Sequence, residues 1–230
     1  MHLSARTALL AEQSPPLALG YRPRSPSDPM LRLPYQQLEI RIDNDPSFSF
    51  GSVDTPHAYD HSFRLDDEPY SPTSLHSVSV IQEDETVVAS SILGATGGAS
   101  GVHEHSAIIH ADSLLIAVGP FVVSLQLPTL TPNWKVKTDS ATCFGVYHSE
   151  EKRCYISHGE LDVAAVSYDG SIMWSNSGAD IFTNGFSVSQ DQVTAIDWNE
   201  DKYVWDIATG QLIETTANKA VNPSGGSGGV

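Results

Sequence analysis

Histidines, carboxylates and one tryptophan recur in short polar segments of the second half of the sequence. As candidate binding residues we take His103, Glu104, His105, Asp139, His158, Glu160, Asp180, Trp198, Glu200 and Asp201. Imidazole and carboxylate groups hold metal ions and move protons near neutral pH. Three roles therefore compete for these residues: binding a protein partner, holding a metal ion, and acid–base catalysis.

A metal site would need a third ligand beside the His-x-His pair. His103 and His105 alternate, so on a strand they share one face and could ligate a metal together with His158 or His110. So short a motif is more often a pair of surface or hydrogen-bonded histidines. We keep His103, His105 and His158 as metal candidates, and we predict no metal and no cofactor.

Acid–base catalysis would need two carboxyl groups within about 5 to 10 Å of each other. Glu160 follows Gly159, and Asp180 lies two residues after Gly178, so turn chemistry explains both as well as catalysis does. The sequence holds no Gly-x-Ser-x-Gly or His-Glu-x-x-His motif. We therefore assign no catalytic residue.

Cys143 would be a nucleophile only if its pKa were lowered. A hairpin centred on residues 150 and 151 would place Cys143 opposite His158 and Tyr147 opposite Cys154. A buried free cysteine acting as a small apolar side chain is the simpler interpretation. We predict that the two thiols are not bonded to each other.

The overall charge excludes some partners. The chain has 230 residues, with 12 Lys and Arg against 28 Asp and Glu, a net charge of −16. Nonspecific binding to nucleic acid or to an anionic membrane needs clustered basic residues, so we expect neither. No apolar run approaches the roughly 18 residues that span a bilayer. The apolar run 8–11 is too short for a secretory signal, so we expect a cytoplasmic protein.

Proline and charge divide the chain. Residues 1–35 hold six of the 14 prolines and the only basic stretch, which predicts an extended or disordered arm after one short helical turn over 5–12. Residues 36–96 carry eleven acidic residues and two arginines, and we interpret them as an acidic β subdomain, either an irregular blade or a cap. Residues 217–230 are rich in Gly and Ser, as flexible tails are.

Strand patterns fill the acidic subdomain. Residues 38–42 alternate apolar and charged side chains, as a half-buried strand does. Further strands are predicted over 47–50, 62–65, 75–81 and 86–93. The last two flank Glu83-Asp84-Glu85, which predicts a hairpin turn.

Residues 97–216 repeat with a period of 40. Trp134 and Trp174 lie one period apart, as do Asp169-Gly170 and Thr209-Gly210, and Leu115, Tyr155 and Ala195 form another column. The middle unit predicts strands over 144–147, 154–157, 163–167 and 172–175. Units of about 40 residues with four antiparallel strands are typical of propeller blades.

The end of each unit resembles a known family. The segment 203–213 (YVWDIATGQLI) is similar to the third and fourth strands of quinoprotein-type (PQQ-like) propeller blades. The segment 163–174 (VAAVSYDGSIMW) is a looser copy, and 128–134 (PTLTPNW) is a third without its turn glycine. The resemblance covers about half the chain and implies a blade type without the quinone cofactor. The dehydrogenases of that family are much longer and pair adjacent cysteines, whereas Cys143 and Cys154 are separated along the chain.

We therefore predict an all-β fold, a propeller-like array of four-stranded antiparallel blades, with an open curved β-sandwich as the alternative. Three repeats do not close a ring alone, so residues 36–96 must add a blade or a cap, or an open edge must pair with another copy. Loops between blades, and loops between second and third strands, should meet at one end and gather the candidate residues there. We expect Trp134, Trp174 and Phe182 between blades, and Trp198 either in the core or exposed as an anchor.

The leading functional hypothesis is a non-enzymatic binding module or scaffold, with an inhibitor or immunity protein for a basic partner as one concrete version. The alternatives are a metal-dependent or acid–base enzyme that uses the same loops, and a structural subunit that self-assembles through an open sheet edge.

Overall fold

The computed structural model describes residues 31–216, and all seventeen elements within them are β-strands. The strands form four sheets, one of five strands and three of four strands. The predicted all-β array of four-stranded antiparallel sheets is confirmed. The helical turn over 5–12, most of the arm and the Gly/Ser tail lie outside the described residues.

The first sheet has the order β1-β2-β4-β5-β3. Its strands are β1 (Leu31–Tyr35), β2 (Leu38–Asn44), β3 (His61–Arg64), β4 (Ser74–Gln82) and β5 (Val87–Ala95). All pairings are antiparallel except that of β3 with β5. Residues 31–35, which we assigned to the arm, form an edge strand that accommodates Pro34. The strand predicted over 47–50 is wrong, because those residues lie in a long loop that covers the sheet.

The other three sheets are four-stranded antiparallel meanders. The second contains β6 (Ala107–His110), β7 (Ser113–Val118), β8 (Phe121–Gln126) and β9 (Thr131–Lys137). The third contains β10 (Cys143–Ser149), β11 (Cys154–Gly159), β12 (Asp162–Ser167) and β13 (Ile172–Ser177). The fourth contains β14 (Gly185–Val188), β15 (Gln192–Ile196), β16 (Lys202–Asp206) and β17 (Leu212–Thr216). The four strands predicted for the middle unit are confirmed.

The 40-residue period holds for the outer strands but shifts within the inner ones. Leu115 and Tyr155, which share a sequence column, both line the apolar cluster between the second and third sheets. They reach that cluster from opposite sides and so are not equivalent positions. The strands β7 and β11 start 41 residues apart, and a shift of one residue turns a side chain to the other face.

Three apolar clusters hold the array together. The first packs the first sheet on the second, another packs the second on the third, and the last packs the third on the fourth. Within residues 31–216 no such cluster joins the fourth sheet to the first. The sheets therefore form an open series, each stabilised by its neighbours through buried apolar area.

Tryptophans on outer strands fasten each sheet to the next. Trp134 Nε1 donates to the Tyr168 carbonyl oxygen at 3.1 Å, and its ring covers Gly170. Trp174 Nε1 donates to the Ile207 carbonyl oxygen at 2.7 Å, and its ring covers Gly210. The expectation that these tryptophans lie between blades is confirmed, and Phe182 is fully buried in the same cluster as Trp174.

The outward face of the fourth sheet carries a charged pair. Glu214 lies one period after Trp174 and opposite Val204, on the face turned away from the third sheet. Its carboxylate lies 3.5 Å from the Lys202 ammonium group. A charged residue therefore stands where the second and third sheets have their docking tryptophans.

The outward face of the first sheet is covered by its own chain. Phe50, in the loop between β2 and β3, packs directly over Gly94, where an added Cβ would lie 2.5 Å from the ring. Asp45 of the same loop is buried and accepts hydrogen bonds from the Tyr59 hydroxyl at 2.7 Å and from the His57 ring. Lower on the same face, Arg41 forms a bidentate ion pair with Glu85.

The tryptophan–glycine contact predicts a specific loss of stability. Gly170 has φ +88°, and an alanine Cβ there would lie 2.6 Å from the Trp134 ring. Gly51 has φ +75° with nothing within 4 Å, so Gly51→Ala measures the conformational cost alone. We expect Gly51→Ala to lower the free energy of unfolding by about 1 kcal/mol and Gly170→Ala by about 2 to 4 kcal/mol. Urea denaturation of both variants measures the difference, and equal losses would contradict the docking role.

Candidate functional site

Five loops from neighbouring sheets meet at one end of the array, which we call the loop face. They are the loops 97–106, 138–142, 159–161, 178–184 and 197–201. Backbone hydrogen bonds connect them in series, from Gly98 N to Ala141 O, Glu160 N to Thr142 O, Phe182 N to Glu160 O, and Trp198 N to Ile181 O. All ten candidate residues lie in these loops or at their borders.

Asp139 is a structural clamp within the loop face. Its buried carboxylate accepts four backbone N–H groups, from Ala141 and Thr142 on one oxygen and from Leu161 and Asp162 on the other. Charge-assisted hydrogen bonds of this number fix two loops of the same sheet against each other. Asp139 is therefore not available to a ligand.

Asp197 plays a similar part in the fourth sheet, and the sequence analysis missed it. It is fully buried and accepts from the backbone N–H groups of Asn199 and Asp201 and from the Tyr203 hydroxyl. The sequence signal that could have identified Asp197 is the Asp-x-Asn turn pattern that precedes Glu200, which has φ +65°. Carboxylates of this kind hold the exposed side chains of the loop face in position.

His103 uses both ring nitrogens to brace the backbone. Its Nε2 lies 2.7 Å from the Phe144 carbonyl oxygen, and its Nδ1 accepts the His105 backbone N–H at 3.2 Å. The His105 ring is half-exposed, packs 5.1 Å from the Tyr147 ring and lies 3.5 Å from the Glu104 carboxylate. Within residues 31–216, no three His, Cys, Asp or Glu side chains are placed to hold a metal ion.

His158 is held between aromatic rings. Its imidazole stacks on Phe186 with ring centres 4.0 Å apart and meets the Phe144 ring edge-on. Its Nε2 atom is buried and has no hydrogen-bond partner among the described residues. Burial lowers the pKa of His158 to about 4, so the ring is neutral at physiological pH. The neighbouring His103 and His105 contribute in the same direction.

Trp198 is the most exposed aromatic side chain of the loop face, with 64% of its surface accessible. Asp180 accepts from the side-chain amide of Asn199, the residue that follows Trp198, at 3.1 Å. Glu200 is exposed and Asp201 half-buried in the same turn. Of the two placements considered for Trp198, the structure shows the exposed one.

The five loops contain no lysine or arginine. They hold seven acidic residues, which are Glu104, Asp139, Glu160, Asp180, Asp197, Glu200 and Asp201. The opposite end is mixed in charge, because the turn between β10 and β11 carries Lys152 and Arg153, and the Lys152 ammonium lies 2.5 Å from Asp191. The loop face is therefore a one-sided negative surface around an exposed indole.

The cysteines are free and buried, as predicted. The predicted register is wrong, because Cys143 pairs with Gly159 and Ser149 with Cys154, with a bulge between Cys143 and Gly145. Burial raises the pKa of Cys143 to about 11, and its Sγ lies 3.0 Å from the Ser157 hydroxyl. A thiol with so high a pKa is a poor nucleophile at neutral pH.

A second histidine cluster, also missed, lies at the opposite end. His110 and His148 stack with ring centres 4.1 Å apart and bond the hydroxyls of Tyr155 and Tyr168 respectively. Burial, together with the His110 ring, lowers the pKa of His148. These residues come from three strands and a turn, so no sequence motif could have grouped them.

No family model and no curated protein matches the sequence. Among solved structures, the fold is similar to the computationally designed Ika8 protein, with 13% identity and a TM-score of 0.45, over 62% of this chain and 45% of that one. It is also similar to the AfRom2 CNH domain, with 12% identity and a TM-score of 0.42, over 64% of this chain and 49% of that one. The chain thus spans about half the length of these structures, and neither likeness shows a quinoprotein-type family. None of the described segments is a helix long and apolar enough to cross a membrane.

The clamp role of Asp139 predicts a loss of stability from an isosteric change. Asp139→Asn removes the charge and replaces one accepting oxygen by an NH2 group that faces backbone donors. We expect it to lower the free energy of unfolding by about 2 to 4 kcal/mol. The Asp180 carboxylate bonds Ile181 N and Asn199 among the described residues, so Asp180→Asn should cost under about 1 kcal/mol. Denaturant unfolding compares the two, and a neutral Asp139→Asn would contradict the clamp.

The buried neutral His158 predicts a pH dependence of stability. Its pKa is about 4 in the folded state against an ordinary 6.5, so the unfolded chain binds more protons between these values. Stability should therefore be complete above pH 6.5 and fall as pH approaches 4. His158→Phe preserves ring stacking and should flatten this slope, by about 2 kcal/mol between pH 7 and 5. Urea midpoints at each pH measure the effect, and parallel profiles would contradict it.

Proposed function

We propose that this protein is a non-enzymatic binding module that holds a basic protein on its loop face. The observation that carries this proposal is the charge of the five loops, seven carboxylates with no lysine or arginine, around an indole that is 64% exposed. A surface of one charge sign steers an oppositely charged partner and excludes like-charged ones.

Trp198 gives this surface a central anchor. An exposed indole offers apolar contact area and a π face on which a lysine or arginine side chain can lie. The carboxylate of Asp180 is oriented by a hydrogen bond from Asn199, the residue that follows Trp198. A guanidinium on the indole would therefore meet a carboxylate at the same time, which favours arginine-rich segments of the partner.

The loop face is pre-organised by the sheets beneath it. Asp139 and Asp197 bond the backbone of three loops, and three apolar clusters fix the sheets that carry these loops. A surface held in this way loses little conformational entropy on binding. This rigidity supports a docking role, which needs no reactive group.

Finer parts of the proposal rest on the sequence. They are a quinoprotein-type blade without its cofactor, a cytoplasmic location, and an inhibitor or immunity role toward a basic toxin or nuclease. Self-assembly through the outer edge strands is the structural alternative. A metal-dependent or acid–base enzyme is the catalytic alternative, which would use His103, His105, His158, Glu160 and Asp180.

Binding of a short Lys/Arg-rich peptide, measured by calorimetry, tests the proposal. Trp198→Ala should weaken binding about tenfold, and Glu160→Gln about three- to fivefold, because each removes part of the anchor or of the field. Raising salt from low to physiological concentration should weaken binding to the unmodified protein as well.

Matched controls come from the opposite end. Met173 is exposed on β13, and Glu150 is exposed in the turn after β10. Met173→Ala and Glu150→Gln should leave peptide binding unchanged. If they weaken it as much as the loop-face variants do, binding is nonspecific and the proposal fails.

A further inference from the structure

The N-terminal segment enters the described structure at the loop face. Strand β1 pairs with β2 so that Leu31 lies opposite Ile42, two residues before Asn44 at the end of β2. The Asn44 side-chain oxygen accepts the Val102 backbone N–H at 3.1 Å, and Val102 belongs to the first loop of the loop face. Leu31, the first described residue, therefore lies at the negative end of the array.

That segment carries the opposite charge. Residues 1–30 contain Arg6, Arg22 and Arg24 against Glu12 and Asp28, whereas the rest of the chain is strongly acidic. Arg22 and Arg24 lie within nine residues of Leu31. Seven residues of extended chain, from Arg24 to Leu31, reach at most about 25 Å. Nine residues, from Arg22 to Leu31, reach at most about 32 Å, and four sheets packed about 10 Å apart span about 30 Å, so the Arg22 guanidinium can reach the loops of the fourth sheet.

We propose that the segment around Arg22 and Arg24 docks on the loop face of its own chain, with its guanidinium groups against the carboxylates and Trp198. This inference rests on the proposed function, because the segment would occupy the surface assigned to the basic partner. A tethered segment acts at an effective concentration in the millimolar range for short linkers. A basic partner must then displace this segment to bind. Weakly binding basic proteins are therefore excluded from the loop face.

Paramagnetic relaxation in the full chain measures how close the segment around Arg22 and Arg24 lies to Trp198. Both native cysteines are buried, so Gly20→Cys places a single reactive thiol two residues before Arg22 for a nitroxide label. We expect broadening of the Trp198 indole signal and little effect on Trp134, whose indole docks on a turn at the opposite end. Adding Arg22→Glu and Arg24→Glu, or high salt, should reduce the broadening of Trp198 several-fold.

Three outcomes would overturn the inference. One is equal broadening with and without the arginine reversals. Another is an equal loss in an Arg6→Glu control, which would show that overall charge and not this segment matters. The third is broadening that appears only between labelled and unlabelled copies in a mixed sample, since the occupant would then be a second copy of the chain.

Peptide affinity separates this inference from the proposed function. The Arg22→Glu and Arg24→Glu double variant should bind the Lys/Arg-rich peptide at least about fivefold more tightly than the unmodified chain, because the competing segment is removed. If the peptide binds the loop face with equal affinity in both, only self-docking is wrong. If the label reports docking and neither protein binds the peptide, self-docking stands and the binding module fails.

Discussion

The stacking of one sheet on the next through buried apolar faces is the interaction on which the rest of this structure depends. The second and third sheets present apolar side chains on both sides, and Trp134 and Trp174 extend the contact to the outer strand by covering a glycine of the following sheet. The tryptophan ring leaves no room for a Cβ, and the left-handed backbone at the same position favours glycine. Both constraints therefore select the same residue. In the fourth sheet Glu214 takes the tryptophan position and pairs with Lys202.

The loop face follows from this stacking. Antiparallel meanders return their connections to the same end of every sheet, so neighbouring loops come close enough to bond through their backbones. Buried carboxylates then fix the loops, and the remaining acidic groups are half-buried or exposed in loops that hold no lysine or arginine. Acidic side chains thus serve two purposes, depending on their burial. Asp139 and Asp197 stabilise the surface, and Asp180 and Glu160 give it its charge.

Several residues of the loop face have roles other than those that their residue types suggested in the sequence. His103 looked like a metal ligand in the sequence, yet both of its nitrogens are engaged with the backbone. His158 is neutral through burial rather than through any partner. The predicted 40-residue columns paired Leu115 with Tyr155, whereas the structure turns them toward each other across an interface. A sequence period does not register the insertion of a single residue, but a strand reverses its faces when one occurs.

The sequence by itself determined the all-β class, the strands of the middle repeat, the tryptophan–glycine period and the free state of the thiols. These depend on local alternation, turn residues and side-chain volume, which are properties of short segments. Only the tertiary structure decided which carboxylates are buried, where Trp198 points, and how the His110–His148 cluster assembles. Those features arise from contacts between residues far apart in the chain, and their energies depend on burial that no local pattern specifies.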